Sequence, residues 1–256
     1  MSDYAITPFS LIETPIHAQK RLSDDKKTSH SYAQGASIMA LVHNVIIRGL
    51  DSVYLQAPHV HEKDFVDFIN YAACWHEFTS NHFRNEAESI IPTVEAKCGE
   101  QGVLDEDLKE HEAFAVGFDE YKTYLATMAA KPGEFDGKKL TSIVDSFAPK
   151  MMEHLRNQIP RMLELARFGE KIPMLEIIET EGNRSTQHLS KAGGMIFFLR
   201  NLDLGYEDGL WKDWPPIPNA ARWGVLKTIG KWYSKWWVYA ACDESGQLQK
   251  LHASYH

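Results

Sequence analysis

The residues best suited to chemistry are four histidines, one in each of four segments with helical periodicity. They are His43, His82, His111 and His154. Two of them are followed four residues later by a side chain that carries a carbonyl oxygen. Glu86 follows His82 in HFRNE, and Gln158 follows His154 in HLRNQ. Because four residues of an α-helix advance one turn and rotate about 40°, each helix offers both side chains to one metal ion.

The spacing also places these histidines at similar depths along antiparallel helices. His82 and His111 lie about 9 and 7 residues from the connection between their helices. His111 and His154 lie about 17 and 16 residues from the next connection, so both pairs match within roughly 2–3 Å. His43 and His82 match less well, at about 13 and 21 residues. We expect one buried layer of imidazoles with Glu86 and Gln158 beside it.

A buried layer of this kind predicts a metal site. Four imidazoles without hydrogen-bond partners or a cation would be costly to bury. Imidazole ligands suit zinc, copper, iron and nickel, and an added carboxylate favours non-haem iron or manganese. Helix bundles build such sites because their facing helices project ligands inward.

Four amphipathic helices must position these residues. Apolar residues recur at three- and four-residue steps in each segment, over residues 34–56, 61–91, 104–128 and 138–168. Pro58 and Pro92 are expected to end the first two helices, the segment KPGEFDG the third and Gly169 the fourth. Pro149 is expected to kink the fourth helix or split it. The connections are short, which predicts an all-α fold, an up-down-up-down four-helix bundle.

The sequence divides into three parts by composition. Residues 1–33 form a polar N-terminal arm or strap, residues 34–170 the bundle, and residues 171–256 a C-terminal extension. Six of the seven tryptophans lie in this extension, namely Trp211, Trp214, Trp223, Trp232, Trp236 and Trp237. Since so aromatic a segment is unlike a disordered tail, we expect an irregular or helical extension that packs on the bundle.

Composition excludes several classes of partner. Lys and Arg number 27 against 35 Asp and Glu, a net charge of −8, which disfavours nucleic acid and anionic membranes. Neither a signal peptide nor an apolar run of membrane-spanning length is apparent. The three cysteines, Cys74, Cys98 and Cys242, form no CxxC pair. We therefore expect a cytoplasmic protein in a reducing compartment.

The pattern resembles the hemerythrin-like family, also called HHE cation-binding domains. The order of ligands, the phrases HNVIIRGLDSVY and HFRNEAESIIP, and a Trp-rich tail similar to that of fungal members carry the resemblance. It implies a four-helix bundle that holds two non-haem irons and reacts with dioxygen, nitric oxide or peroxide. Transferred by position, the implied ligands are His43, His82, Glu86, His111 and His154.

Gln158 departs from the family pattern, which implies a bridging carboxylate at that position. A neutral amide coordinates weakly, so three outcomes stay open: a di-iron site with one carboxylate bridge, a site with one iron, or a site without metal. The function we expect is an oxidoreductase that uses dioxygen on a small apolar organic molecule held beside the metal by the aromatic extension. The alternatives are a non-catalytic carrier or sensor of oxygen, nitric oxide or iron, and a scaffold protein. The sequence identifies neither a catalytic acid or base nor an oligomeric state.

Overall fold

The computed structural model describes residues 7–22 and 28–253. Residues 1–6, 23–27 and 254–256, which belong to the predicted arm and extension, lie outside this description. Within the described ranges the regular structure is helical, apart from an isolated bridge between Cys242 and Leu248. The α-helices are α1 (Pro15–Gln19), α2 (His30–Gln56), α3 (Phe65–Asn85), α4 (Ile91–Cys98), α5 (Asp105–Ala130), α6 (Gly137–Glu164), α7 (Met174–Thr186), α8 (Gly194–Asn201), α9 (Tyr206–Gly209) and α10 (Asn219–Trp232). The all-helical prediction is confirmed.

The four long helices α2, α3, α5 and α6 correspond to the four predicted segments. α5 packs on α3 and α6, and α2 packs on the same two helices. α6 runs without a break through Pro149 and Pro160, so Pro149 does not split it. A 3-10 segment, Leu165–Lys171, follows α6 and contains Gly169 at φ 58°, a left-handed conformation that glycine adopts without steric cost.

The second helix does not stop at Pro92, and that prediction is wrong. A π-helical turn, Glu86–Ile90, follows α3 directly, and α4 continues the chain as far as Cys98. Pro92 lies in the first turn of α4, where its missing N–H removes no hydrogen bond of that helix. The N–H of Ile91 bonds the carbonyl of Glu86, five residues back, which defines the wide turn.

Helix α2 is a core helix. By length and composition alone, His30–His59 could cross a membrane. The expectation that the sequence contains no apolar run of membrane-spanning length is therefore wrong. However, 83% of its most apolar window is buried inside the protein. α3 packs on it, and the Trp75 indole N–H donates to the Ile46 carbonyl at 2.9 Å. Burial by neighbouring helices accounts for the apolar composition of α2 without a membrane.

The start of α6 is pressed against the end of α2. A Cβ on Gly137 would lie 1.8 Å from the carbonyl oxygen of Ala57. The Asp136 side chain accepts hydrogen bonds from the N–H groups of Lys138 and Lys139 and so caps the helix. Glycine at position 137 therefore fixes how closely the two backbones approach.

The N-terminal segment lies along α2. Asn44 exchanges two hydrogen bonds with the backbone of Ile12: its Oδ1 accepts from the Ile12 N–H at 2.8 Å, and its Nδ2 donates to the Ile12 carbonyl at 2.9 Å. Farther along, the N–H of Thr14 donates to Glu207 of α9 at 2.7 Å. These bonds make residues 7–22 a strap that joins the helices to the C-terminal part of the chain.

The C-terminal extension packs on α2 and α3. The carbonyl of Tyr239 accepts a hydrogen bond from Gln56 of α2 at 3.0 Å. Phe197 of α8 lies with its ring centroid 5.8 Å from that of Tyr71 on α3. Trp237 contacts the same tyrosine at 6.3 Å and is 2% exposed. The aromatic residues of the extension thus contribute to the protein core.

Candidate metal centre

Each of the four long helices brings one histidine to a common buried centre. His43 comes from α2, His82 from α3, His111 from α5 and His154 from α6, and Glu86 joins them from the π turn. His43, Glu86 and His154 are fully buried, and His82 is 8% exposed. The His111 side chain is 14% exposed. The structure therefore brings together five of the six residues proposed as ligands from the sequence.

Glu86 lies between two pairs of histidines, and each of its oxygens faces one pair. Oε1 is 3.1 Å from His82 Nε2 and 3.8 Å from His43 Nε2. Oε2 is 3.1 Å from His111 Nε2 and 3.6 Å from His154 Nε2. Within each set of three residues the candidate ligand atoms lie within 4.8 Å of one another. The arrangement is that of two adjacent sites that share one carboxylate.

Two 3-10 turns explain why His43 and His82 share a level although their sequence spacing does not match. α3 begins at Phe65 rather than at residue 61, which leaves 17 residues between that start and His82. The turn Ala57–His59 extends α2, so the helical path after His43 is 16 residues long. The turn Glu62–Asp64 supplies the remainder of the connection.

The donor atoms fit a cation. His43 Nε2, His82 Nε2 and Glu86 Oε1 are buried and have no hydrogen-bond partner within the described residues. Because an unpaired buried polar atom costs roughly 1–3 kcal/mol, three such atoms turned toward one point are better explained by a ligand than by packing. Nitrogen and carboxylate donors of this kind suit a first-row transition metal.

Burial and mutual attraction set the protonation states. Burial would raise the pKa of Glu86, but His82, His111, His154 and His43 together hold it well below its usual range, so Glu86 is an anion at neutral pH. Burial lowers the pKa of His43 to about 4, against the opposing effect of Glu86. His43 is therefore neutral at pH 7, which is the form of imidazole that binds metals.

Outer contacts orient two of the imidazoles. His43 Nδ1 donates to the carbonyl of Leu155 at 2.8 Å, and His154 Nδ1 donates to Glu110 Oε2 at 3.1 Å. A neutral imidazole carries its proton on one nitrogen only. With the proton on Nδ1, the Nε2 lone pair of neutral His43 points toward the centre, which is the orientation that metal sites maintain by such contacts. Burial lowers the pKa of His154, but Glu86, Asp107 and Glu110 raise it above its usual value, so His154 would release its Nε2 proton when it binds a metal.

Glu110 is held by Arg161 and Asn157, and the sequence analysis missed this network. Both Arg161 guanidinium nitrogens donate to Glu110 at 2.7 Å, and Asn157 Nδ2 donates at 2.9 Å. These bonds hold the pKa of Glu110 near 2, with Arg161 the largest cause. The available signal was the spacing of Asn157 and Arg161, three and seven residues after His154 and so on its face of α6.

Asp107 lies four residues before His111 on α5, one turn away along the same helix. The structure places its Oδ1 2.6 Å from Arg161 Nη1. Asp107 is fully buried, and burial raises its pKa while Arg161 lowers it. Its role is therefore to secure the arginine that holds Glu110.

Gln158 lies one turn after His154 and is 3% exposed. Its Oε1 has no hydrogen-bond partner among the described residues. This unpartnered acceptor is what a weak neutral ligand would present. Gln158 consequently stays a candidate ligand.

Aromatic side chains surround the centre. The Phe83 ring centroid lies 4.9 Å from that of His111 and 5.6 Å from that of His154, and Phe114 lies 5.8 Å from His111. A cavity of about 690 Å³ lies in the C-terminal extension, and no candidate ligand lines it. From the sequence we expected the extension to form a substrate pocket beside the metal. This cavity is not that pocket, because no candidate ligand lines it.

Comparison with known proteins gives one distant relative. The chain is 27% identical over 242 residues to dimeric xanthone biosynthesis cluster protein R11 of Cryptosporiopsis sp. (strain 8999). The alignment covers 93% of this chain and 89% of the relative. No protein-family model matches the chain. No solved structure matches it either.

Proposed function

We propose that this protein is a hemerythrin-like non-haem iron protein that binds two irons and reacts with dioxygen. The observation that carries the proposal is the position of Glu86, whose two oxygens each face a different pair of buried histidine nitrogens at 3.1–3.8 Å. A zinc site of the structural kind would use four ligands around one ion. Two histidine pairs that share a carboxylate instead support a site for two ions.

The packing of the helices supports the same assignment. Of the helices that supply the ligands, α2 and α5 each contact both α3 and α6. Such contacts are expected for an up-down-up-down four-helix bundle with a metal site in its core. We infer this bundle topology for residues 34–170, with the extension packed on it.

The side chains have separate tasks in this proposal. His43 and His82 would hold one iron, His111 and His154 the other, and Glu86 would bridge them. Non-haem iron, when bound, supplies electrons and an open coordination position for a diatomic gas. Gln158, one turn after His154 on α6, would offer a neutral oxygen donor rather than a carboxylate. Phe83 and Phe114 pack on the His111 ring and cover part of it.

The relative favours an oxidoreductase. Its name associates it with a dimeric xanthone biosynthesis cluster, and the alignment covers 93% of this chain and 89% of the relative. A role in making a small organic molecule is closer to oxidation of a substrate than to gas storage. We therefore propose that the protein oxidises a small apolar organic molecule with dioxygen.

A carrier or sensor of dioxygen, nitric oxide or iron is the second candidate. The observation that favours it is the packing of the Phe83 ring on the His111 ring, with centroids 4.9 Å apart, which places an aromatic side chain directly beside the centre. A diatomic gas needs no cavity for an organic substrate. The same iron site would serve either function.

Iron content tests the proposal directly. We expect anaerobic reconstitution of the wild type to give close to two irons per chain, and His82→Ala to retain at most one. The control is His76→Ala, since His76 lies on the same helix but stacks on Phe118 with centroids 4.5 Å apart and belongs to neither histidine pair. Absence of any metal from the wild type, or full iron retention by His82→Ala, would refute the proposal.

Reaction with oxygen separates the two candidates. The ferrous protein of a carrier should change its absorption spectrum on mixing with oxygen and recover on degassing. The oxidoreductase should instead be oxidised once and remain so until substrate and reductant are added. Repeated reversible cycles without loss would exclude the oxidoreductase.

A further inference from the structure

The C-terminal extension contains a cavity of about 690 Å³ that is separate from the candidate metal centre. Cavities that bind small organic molecules measure roughly 300–1,000 Å³. Its walls come from α8, α10 and the segment 234–252. Nothing in the proposed iron chemistry uses this part of the protein.

The floor of the cavity is apolar and its mouth is polar. Buried side chains of Ile196, Leu226 and Trp237 form the floor, at 0%, 4% and 2% exposure. Exposed residues, among them Ser234 and Lys250, form the mouth. A buried apolar floor with a few polar groups at one side is the usual composition of a site for an amphipathic small molecule.

Arg200 is the charged group of the floor. It is 8% exposed, and it donates to the carbonyls of Cys242 at 3.0 Å and Trp237 at 2.9 Å. These partners are neutral, and burial lowers the pKa of Arg200, a sign of the cost of placing this cation there. An anion would offset that cost.

The nearby carboxylates are engaged elsewhere. Glu244, the carboxylate that lines the cavity, pairs with Lys227 outside it. Asp243 accepts hydrogen bonds from the N–H and hydroxyl of Ser245 at 2.8 and 2.6 Å. The cavity therefore combines an apolar floor with a fixed cation whose hydrogen-bond partners are uncharged, while the charges of Glu244 and Asp243 act on it without a hydrogen bond.

We propose that this cavity binds an apolar organic acid, a molecule whose carboxylate or phenolate pairs with Arg200 while its hydrocarbon part covers Ile196, Leu226 and Trp237. Guanidinium recognises carboxylates by charge-assisted hydrogen bonds, which are stronger than bonds between neutral groups. The site does not depend on the presence of iron.

Gly230 offers a way to block the cavity without touching Arg200. Gly230 lines the cavity, and a Cβ built on it would meet its nearest atoms at 3.8 Å, an ordinary contact with Ile196 and the Val225 carbonyl. A longer side chain would extend into the space. Gly224 is the matched control, since it lies on the same helix and a Cβ there meets nothing within 4 Å.

The test is calorimetric titration of the full chain with 2-naphthoate, its neutral analogue 2-naphthamide, and dodecanoate. We expect at least one of the two acids to bind the wild type. If that acid is 2-naphthoate, 2-naphthamide should bind at least about tenfold more weakly. Methyl dodecanoate is the neutral analogue for the alkyl acid. Preference for naphthoate would assign an aromatic ligand and preference for dodecanoate an alkyl one, and either supports the proposal.

Gly230→Leu should weaken binding of the preferred acid at least about tenfold, and Gly224→Leu should leave it within about twofold of the wild type. Circular dichroism establishes that both variants are folded. Failure of both acids to bind the wild type, equal binding of an acid and its neutral analogue, or unchanged binding by a folded Gly230→Leu would each overturn the proposal. Because the acid and its analogue are compared on the wild type, the test holds even if a variant does not fold.

Discussion

Glu110 connects the candidate metal centre to a cation near the surface, so neutralising it tests how far outer contacts control the site. Its carboxylate accepts from His154 Nδ1 at 3.1 Å and from both Arg161 guanidinium nitrogens at 2.7 Å. Two unit charges about 4 Å apart interact by roughly 4 kcal/mol at an effective dielectric constant near 20, which is an upper limit for the effect of the Glu110 charge on positive charge that a bound metal would place on His154. Arg161 offsets much of this, because its opposite charge lies closer to the same carboxylate.

For Glu110→Gln we therefore expect a loss of about 10–100-fold in metal affinity, equal to roughly 1.4–2.7 kcal/mol, in the half of the site that contains His154. The half that contains His43 and His82 should change little, since the Nδ1 of His43 bonds the Leu155 carbonyl instead. The variant keeps the size of the side chain and an oxygen acceptor. The change isolates the charge.

The assay is anaerobic titration of the metal-free protein with ferrous iron, analysed as two binding constants. Glu112→Gln is the control, because Glu112 lies on the same helix and is exposed. Thermal unfolding without metal measures any general loss of stability. The reasoning would be refuted if Glu110→Gln bound both irons as tightly as the wild type, or if Glu112→Gln lost as much affinity.

Three further predictions concern stability and the unusual ligand. Burial raises the pKa of Asp51 from 3.8 to about 7. Asp51 therefore binds a proton more tightly in the folded protein than in the unfolded chain. The resulting contribution to the free energy of unfolding, up to about 4 kcal/mol, is present below pH 4 and lost as the pH rises through 7. In chemical denaturation at pH 5 and pH 8, Asp51→Asn should reduce this pH dependence, and identical curves for the two proteins would contradict it. Gly137→Ala should cost more than about 3 kcal/mol in the free energy of unfolding, because its Cβ would lie 1.8 Å from the Ala57 carbonyl oxygen, whereas Gly133→Ala, with nothing within 4 Å, should cost under about 1 kcal/mol. Gln158→Glu should lower the unfolding temperature of the metal-free protein and raise iron affinity about tenfold or more, and an unchanged affinity would place Gln158 outside the site.

Much of the helical framework follows from hydrophobic periodicity. The bounds of α5 and the end of α2 agree closely with the predicted segments, because clear chain breaks follow both helices. α2 begins at His30 rather than at residue 34, so its first turn lies in the part of the chain that we expected to be the N-terminal arm. The histidines lie on the apolar faces that the periodicity defines, so their convergence could be anticipated once the helix lengths were known. The two 3-10 turns between α2 and α3 were not evident from the sequence. Without them, the predicted distances of His43 and His82 from the connection between their helices did not agree.

The contacts beyond the candidate ligands could not be predicted in the same way. Whether Glu110 bonds His154 depends on how two helices are rotated against each other and on the rotamers of long side chains. Periodicity specifies neither. The position of Pro92 was misjudged for a related reason, since a proline ends a regular helix but is compatible with the first turn after a π-helical turn.

The wide turn at Glu86–Ile90 acts as a register shift of one residue within an otherwise continuous rod. Removing one residue from it would restore regular winding and turn everything that follows by about 100°. Ile91 and Val94, now 3% and 1% exposed, would leave the core, while His82, which precedes the turn, would keep its place. The extra residue therefore sets the burial of α4, whereas Glu86, whose N–H bonds the His82 carbonyl four residues back as in a regular α-helix, keeps its direction.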